Sequence, residues 1–99
     1  MQFNRQMREL VVHGEVTASV RVWKSPRVKV GGTYRVGEGR IVVDRVSEIG
    51  FEDITPQLAR ETGFSSVGEL LQVARHGTGE RVFLVEFRYQ DGSDSPAER

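Results

Sequence analysis

Basic and aromatic side chains are concentrated between Val16 and Val36, a stretch that contains no aspartate or glutamate. In chain order they are Arg21, Trp23, Lys24, Arg27, Lys29, Tyr34 and Arg35. Cations neutralise phosphate groups, and aromatic rings stack on nucleic-acid bases. One interpretation of this stretch is a surface that binds RNA or a nucleotide. The alternative is a solvated, basic sheet face whose cations pair with acids of the C-terminal half.

A strand is predicted over residues 17–23, because polar and apolar side chains alternate there. One side carries the apolar residues Ala18, Val20 and Val22. The other side carries Thr17, Ser19, Arg21 and Trp23. The second set places two hydroxyl groups, a guanidinium and an indole in a row. Thr17 and Ser19 therefore join the predicted ligand-binding residues, where they would bond to base edges or sugar hydroxyls.

The net charge of the 99-residue chain is zero, but the charge is unevenly distributed. Residues 1–45 contain nine Lys or Arg and four Asp or Glu, whereas residues 46–99 contain five and ten. This balance argues against binding of polyanions by bulk charge and leaves room for a local basic patch. A module that binds another protein becomes the better interpretation if acids of the second half neutralise the basic stretch. The acids in question are Glu48, Glu52, Asp53 and Glu61.

Residue types that hold metals or form disulfides are scarce. The chain has no cysteine, and its two histidines, His13 and His76, have no spaced partner. Asp44 and Glu48 are expected on one strand face, but two carboxylates alone do not make a metal site. We therefore predict no metal and no cofactor. The lack of an apolar run of roughly 18 residues and of a signal peptide favours a cytoplasmic protein without membrane contact.

Hydrophobic periodicity predicts an α+β domain over residues 1–89. Strands are expected over residues 17–23, 33–36, 40–46 and 81–89, the third continuing through a bulge to Ile49 or Phe51. Residues 90–99 are polar and are predicted to form a disordered tail.

Capping residues delimit three predicted helices. They are expected over residues 4–13, from the N-cap Asn4 to Gly14; from Thr55 to Gly63; and from Ser66 to His76. Ser66 and Glu69 have the spacing of a capping box.

The order of these motifs resembles the ASCH domain family of the PUA-like superfamily. The resemblance rests on Gly14-x-x-Thr17-x-Ser19-x-Arg21 with the turn at 30–32, on the long strand 41–49, on the two-helix segment 51–70 and on the closing strand 82–87. It covers residues 5–89 and implies a small, partly open β-barrel with an N-terminal helix and a two-helix insertion before the last strand. It also implies a cleft beside the first strand that binds RNA, or that hydrolyses N4-acetylcytidine as some members do.

The resemblance fails at the residues that would carry hydrolysis. The position of the family's signature lysine holds Val16, and that of its threonine holds Ser19. The position of its glutamate falls near Thr62, next to Glu61. Ser19 could act as a nucleophile only with Glu61 or His13 as the base. We therefore predict a non-catalytic module that binds RNA, a nucleotide or a modified nucleoside, with the amidohydrolase and the protein-binding module as alternatives.

Overall fold

A sheet of four antiparallel strands organises the computed structural model, which describes residues 3–74 and 81–91. The strands are β1 (Ala18–Trp23), β2 (Thr33–Val36), β3 (Gly39–Ile49) and β4 (Arg81–Gln90). Their spatial order is β1-β4-β3-β2, so β1 and β2 are the two edges. The sheet curls into a half-barrel, which agrees with a partly open barrel. The predicted α+β class is confirmed.

Among the described residues, three helices accompany the sheet, one before β1 in the chain and two between β3 and β4. They are α1 (Arg5–Val12), α2 (Pro56–Glu61) and α3 (Val67–Ala74), with a 3₁₀ turn at Phe51–Asp53. The predicted caps form: Asn4 Oδ1 accepts a hydrogen bond from the Met7 amide at 2.8 Å, and Thr55 Oγ1 accepts one from the Leu58 amide at 3.1 Å. These bonds satisfy backbone donors that have no partner within the helix.

The start of α3 differs in one detail from a capping box. Ser66 Oγ accepts a hydrogen bond from the Glu69 amide at 3.1 Å, as predicted. The Glu69 carboxylate, however, accepts one from the Ser65 amide at 2.9 Å instead of the Ser66 amide. The reciprocal bond is therefore displaced by one residue. The predicted last residue of this helix, His76, lies outside the described residues.

The two faces of the sheet pack against different helices. On the face that we call the α1 face, Met7 and Val11 of α1 pack in one buried cluster with Ile41, Val43 and Phe87 of the sheet. On the opposite face, α2 and α3 cover the part formed by β1 and the start of β4. The buried cluster there consists of Val20, Val22, Ile54, Ala59, Leu70 and Val82. Beyond this cluster the opposite face carries Val42 and several charged residues, among them Arg40, Arg45 and Arg88.

A β-bulge divides β3 at Asp44, within the predicted strand 40–46 and not beyond its end, and the strand reaches Ile49 as predicted. The register with β4 passes from Val43–Phe87 to Arg45–Glu86, which leaves Asp44 as the extra residue. The expectation that Asp44 and Glu48 share a face is wrong, because this extra residue inverts the alternation. Asp44 pairs with Arg88 on the opposite face, whereas Glu48 is in register with Phe83 on the α1 face.

The last strand extends one residue beyond its predicted end, to Gln90. Of the predicted tail, residues 90–99, the structure describes only Gln90 and Asp91. No helix within the described residues is long and apolar enough to cross a membrane.

Candidate functional site

The polar side of β1 faces the same way as the aromatic side of β4. In the antiparallel register Arg21 lies opposite Phe83, and Trp23 lies opposite Arg81. Residues that are opposite each other in a ladder share a face, so the predicted row of β1 belongs to the α1 face. Ser19 is on the same face two residues before Arg21. The structure thus brings three of the predicted binding residues together beside aromatic rings.

Arg21 is held in place by contacts on two sides. Its Nε donates a hydrogen bond to Ser19 Oγ at 2.9 Å, and its guanidinium carbon lies 5.0 Å from the centre of the Phe3 ring. Burial lowers the pKa of Arg21 below its ordinary value, because the charged form loses water. Arginine nevertheless stays protonated near neutral pH. The site therefore contains a fixed, partly desolvated positive charge.

Phe83 forms the floor under this part of the α1 face. It is 2% exposed, and its ring centre lies 5.9 Å from that of Trp23 and 5.1 Å from the guanidinium carbon of Arg81. Trp23 is half-buried, so the contact with Phe83 uses part of the indole and leaves part at the surface. We call this group of residues the Arg21 cluster: Phe3, Ser19, Arg21, Trp23, Arg81 and Phe83.

Arg81 ties the cluster to the loop that follows β1. Its guanidinium donates two hydrogen bonds to the Glu48 carboxylate, at 2.9 and 3.1 Å, and one to the backbone carbonyl of Lys24 at 3.2 Å. The hydrogen bonds from Arg81 hold the pKa of Glu48 below its ordinary value of 4.5. The same pair raises the pKa of Arg81. The Glu48 carboxylate therefore neutralises Arg81 and forms no ion pair with the basic residues of that loop.

The segment 24–32, which we call the basic loop, connects the two edge strands and so crosses the sheet. Val28 is 7% exposed and belongs to the buried cluster of the α1 face. Its neighbours Arg27 and Lys29 are exposed, as is Lys24. None of these three cations forms an ion pair with another described residue. The buried valine thus fixes the loop while its cations remain in solvent.

Tyr34 and Gly32 fix the far end of the basic loop. Tyr34 is half-buried, and its hydroxyl accepts a hydrogen bond from the Lys29 amide at 3.3 Å. A Cβ at Gly32 would lie 2.7 Å from that hydroxyl, so only glycine fits under the ring. The Gly31 amide and the Gly32 carbonyl bond to the backbone of Val43 at 2.7 and 2.9 Å. These contacts give Tyr34 a role in shaping the loop.

Two predicted binding residues lie apart from this group. Arg35 is exposed on the opposite face of β2, because Tyr34 and Val36 on either side of it point to the α1 face. Thr17 is exposed just before β1, where its carbonyl accepts a hydrogen bond from the Phe87 amide at 2.9 Å. The predicted binding residues therefore divide between the two faces of the sheet.

The residues considered for hydrolysis have other partners in the structure. The described hydrogen bond of Ser19 Oγ is the one it accepts from Arg21, which is a donor and not a base. Glu61 is exposed on α2 and accepts a hydrogen bond from Gln57 at 3.1 Å. His13 is exposed, with Nε2 3.9 Å from Glu9. No described hydrogen bond or ion pair joins any two of these three candidates.

Val16 occupies the position at which the resembled family has its lysine. Thr62 lies near the position of the family's glutamate. Val16 is 3% exposed in the core between α1 and the sheet. Thr62 is 1% exposed, and its hydroxyl donates to the carbonyls of Leu58 and Ala59 at 3.0 and 3.1 Å. Both side chains thus stabilise packing in this chain.

Sequence reasoning missed three members of the Arg21 cluster: Phe3, Arg81 and Phe83. Phe83 and Arg81 belong to the predicted strand 81–89, but their places beside Trp23 depend on the register between distant strands. Phe3 precedes α1, and nothing in its local sequence indicates contact with Arg21. The alternation of β1 was the one available signal, since it puts Arg21 and Trp23 on the same side.

Comparison of the chain with protein families, with curated proteins and with solved structures gives no match. Within residues 3–74 and 81–91 no group of three His, Asp or Glu side chains is arranged to hold a metal ion. The chemistry of the site is therefore argued from its own residues.

Proposed function

We propose that the protein binds single-stranded RNA or a nucleotide through the Arg21 cluster and the basic loop. One observation carries this proposal: Lys24, Arg27 and Lys29 are exposed without an ionic partner among the described residues, in the loop that follows the half-buried Trp23. Unpaired cations can take phosphates, and the accessible part of the indole can stack on a base. A domain of the PUA-like kind, as the ASCH resemblance implies, agrees with this function.

The anchoring of the basic loop supports a binding role. Val28 is buried in the core, and Arg81 and Tyr34 bond to the loop backbone near its two ends. A loop that is already ordered loses less conformational entropy when a ligand binds, so more of the contact energy appears as affinity.

The contacts of nearby acids favour nucleic acid over the protein-binding alternative. Glu48 is bonded to Arg81, Glu61 to Gln57, and Asp53 to the Gly50 amide. Neither these three acids nor Glu52 forms an ion pair with a cation of the basic loop. The hydrogen bond from Arg21 to Ser19 likewise favours binding over hydrolysis, because it supplies no base for a nucleophile.

Trp23 is the single tryptophan of the chain, so its fluorescence reports directly on this site. We expect single-stranded RNA to quench it and to bind with a Kd that rises with salt concentration. Trp23→Ala should weaken binding by about 1–3 kcal/mol, roughly 5- to 150-fold, measured by anisotropy of a labelled RNA. Trp23→Phe keeps an aromatic face and should retain most of the affinity. Phe51→Ala, which removes another exposed ring, is the control.

A charge-matched pair of variants tests the loop. Lys24→Gln/Arg27→Gln should reduce the salt dependence of the Kd, whereas Arg45→Gln/Arg60→Gln removes the same charge elsewhere and should change it much less. Absence of salt-sensitive RNA binding by the wild-type protein at micromolar concentration would overturn the proposal. Turnover of N4-acetylcytidine that is lost in Ser19→Ala would establish the hydrolase instead.

A further inference from the structure

Two arginines lie directly opposite each other on the outer part of the opposite face. Arg35 of β2 and Arg40 of β3 are cross-strand partners in the hairpin, so their side chains share that face. Arg35 is exposed and Arg40 is half-buried. Neither forms an ion pair or a side-chain hydrogen bond with another described residue, and Glu38 in the hairpin turn pairs with neither.

Other arginines on the same face are neutralised. Arg88 pairs with Asp44, and Arg45 lies 3.9 Å from Glu86. The bulge makes both pairs possible. Because Asp44 is the extra residue, both Asp44 and the next residue, Arg45, reach a charged residue of β4 on this face. The described acids of β3 and β4 on this face are thus already paired. At the hairpin end, Arg35 and Arg40 have no ionic partner among the described residues.

Like charges directly opposite in an antiparallel pair destabilise a sheet. The next residue across the ladder, Gln90, is the partner of Arg40 and adds a neutral amide instead of an acid. Strands lie about 4.8 Å apart, so Arg35, Arg40 and Gln90 form a row about 10 Å wide. Guanidinium groups present paired N–H donors that match phosphate oxygens, and the glutamine side-chain NH2 adds two further donors. The repulsion in this row falls when an anion binds.

We propose that this row, Arg35, Arg40 and Gln90, holds the phosphate backbone of the nucleic-acid strand whose bases contact the Arg21 cluster, an inference that rests on the proposed function. Continuity of charge supports this occupant: the basic loop leads directly into β2, and β2 is an edge strand, so the loop and the row border one rim. The row runs across the strands and is about 10 Å wide, so its two arginines can contact more than one phosphate of an extended strand. A regularly charged polymer fits such a track better than a compact anion.

The test compares RNAs of two lengths. For a single-stranded RNA of about 12 nucleotides, Arg35→Gln/Arg40→Gln should lower the slope of log Kd against log salt by about 1.4, the value for two lost phosphate contacts. For a trinucleotide, which is too short to reach from the loop to the row, the Kd should stay unchanged. Arg45→Gln/Arg60→Gln is the control, with the same net charge and one substitution on the same face of β3.

The outcomes separate this inference from the proposed function. The proposed role of the row is wrong if Arg35→Gln/Arg40→Gln keeps the wild-type slope of log Kd against log salt. It is also wrong if the control variant lowers this slope equally. A loss in Arg35→Gln/Arg40→Gln with no effect of Lys24→Gln/Arg27→Gln supports the row and contradicts the loop site. Polyglutamate that binds as tightly as RNA, and is released by the same double variant, would overturn nucleic acid as the occupant.

Discussion

Arginines are treated differently on the two faces of the sheet. On the α1 face, Arg21 is half-buried, bonded to Ser19 and in contact with the Phe3 ring. On the opposite face, Arg35 is exposed and faces another arginine, Arg40. The same residue type therefore contributes to packing in one region and only to surface charge in the other. Stability and binding should respond separately when the two regions are changed.

This difference follows from what each arginine gives up on folding. Arg21 loses water, and its aliphatic stem and guanidinium gain contacts in return, so its removal leaves a gap and an unpaired Ser19 hydroxyl. Arg35 keeps its water and gains no contact of this kind. An arginine that contributes little to the fold, yet increases local repulsion, is better explained by a ligand than by stability.

The sharpest test of the contrast is to remove each arginine in turn. Arg21→Ala should lower the free energy of unfolding by about 2 kcal/mol, because packing and a hydrogen bond are lost together. In a domain of this size that corresponds to a Tm lower by about 8–16 °C. Arg35→Ala should change stability by no more than about 0.5 kcal/mol. Thermal melts of the two variants at one salt concentration measure both, and equal losses would remove the distinction between the faces.

Local features of the sequence predicted most of the elements. Asn4, Thr55 and Ser66 are helix caps because their side-chain oxygens accept backbone hydrogen bonds, a property that depends only on nearby residues. The alternation of β1 placed Arg21 and Trp23 on one side for the same reason. The existence of the bulge in β3 could also be predicted, but its effect on which face holds Glu48 could not, because its exact position was unknown.

The composition of the candidate site depended on pairing between distant strands. Phe83 lies under Trp23 because β4 pairs with β1 in a particular register, which no local pattern determines. The acid-free stretch was treated as one surface, although the alternation of Tyr34 and Arg35 already implied two faces. Arg40 lay beyond that stretch and became relevant only as the cross-strand partner of Arg35.

Reversing one charge in the pair Arg35 and Arg40 should change stability by less than the loss of Arg21, and in the opposite direction. Arg40→Glu would place an acid opposite Arg35 and replace repulsion with attraction, so we expect stability to rise by about 0.2–1 kcal/mol at low salt. RNA affinity should fall in the same variant, since the row loses two units of positive charge relative to the wild type. Denaturant unfolding at low and high salt measures the first effect, with Arg40→Gln as the intermediate variant. A destabilised Arg40→Glu would show that Arg40 serves the fold.

The ion pair of Arg81 and Glu48 lies on the α1 face yet is exposed. It therefore tests whether the contribution of a charged residue to stability depends on its burial or on the face of the sheet that carries it. Arg81 holds the pKa of Glu48 lower in the folded protein than the 4.5 of the free side chain. The stabilisation is therefore present above about pH 4.5 and is lost as the pH falls through the folded-state pKa. Solvent screens an exposed pair, so we expect the smallest effect of the three. Melting temperatures from pH 7 to pH 3 should fall more steeply for the wild type than for Glu48→Gln, which has no carboxylate to titrate. If the melting temperatures of the two proteins fell in parallel with pH, the exposed ion pair would contribute nothing measurable to stability, even beside the buried Phe83.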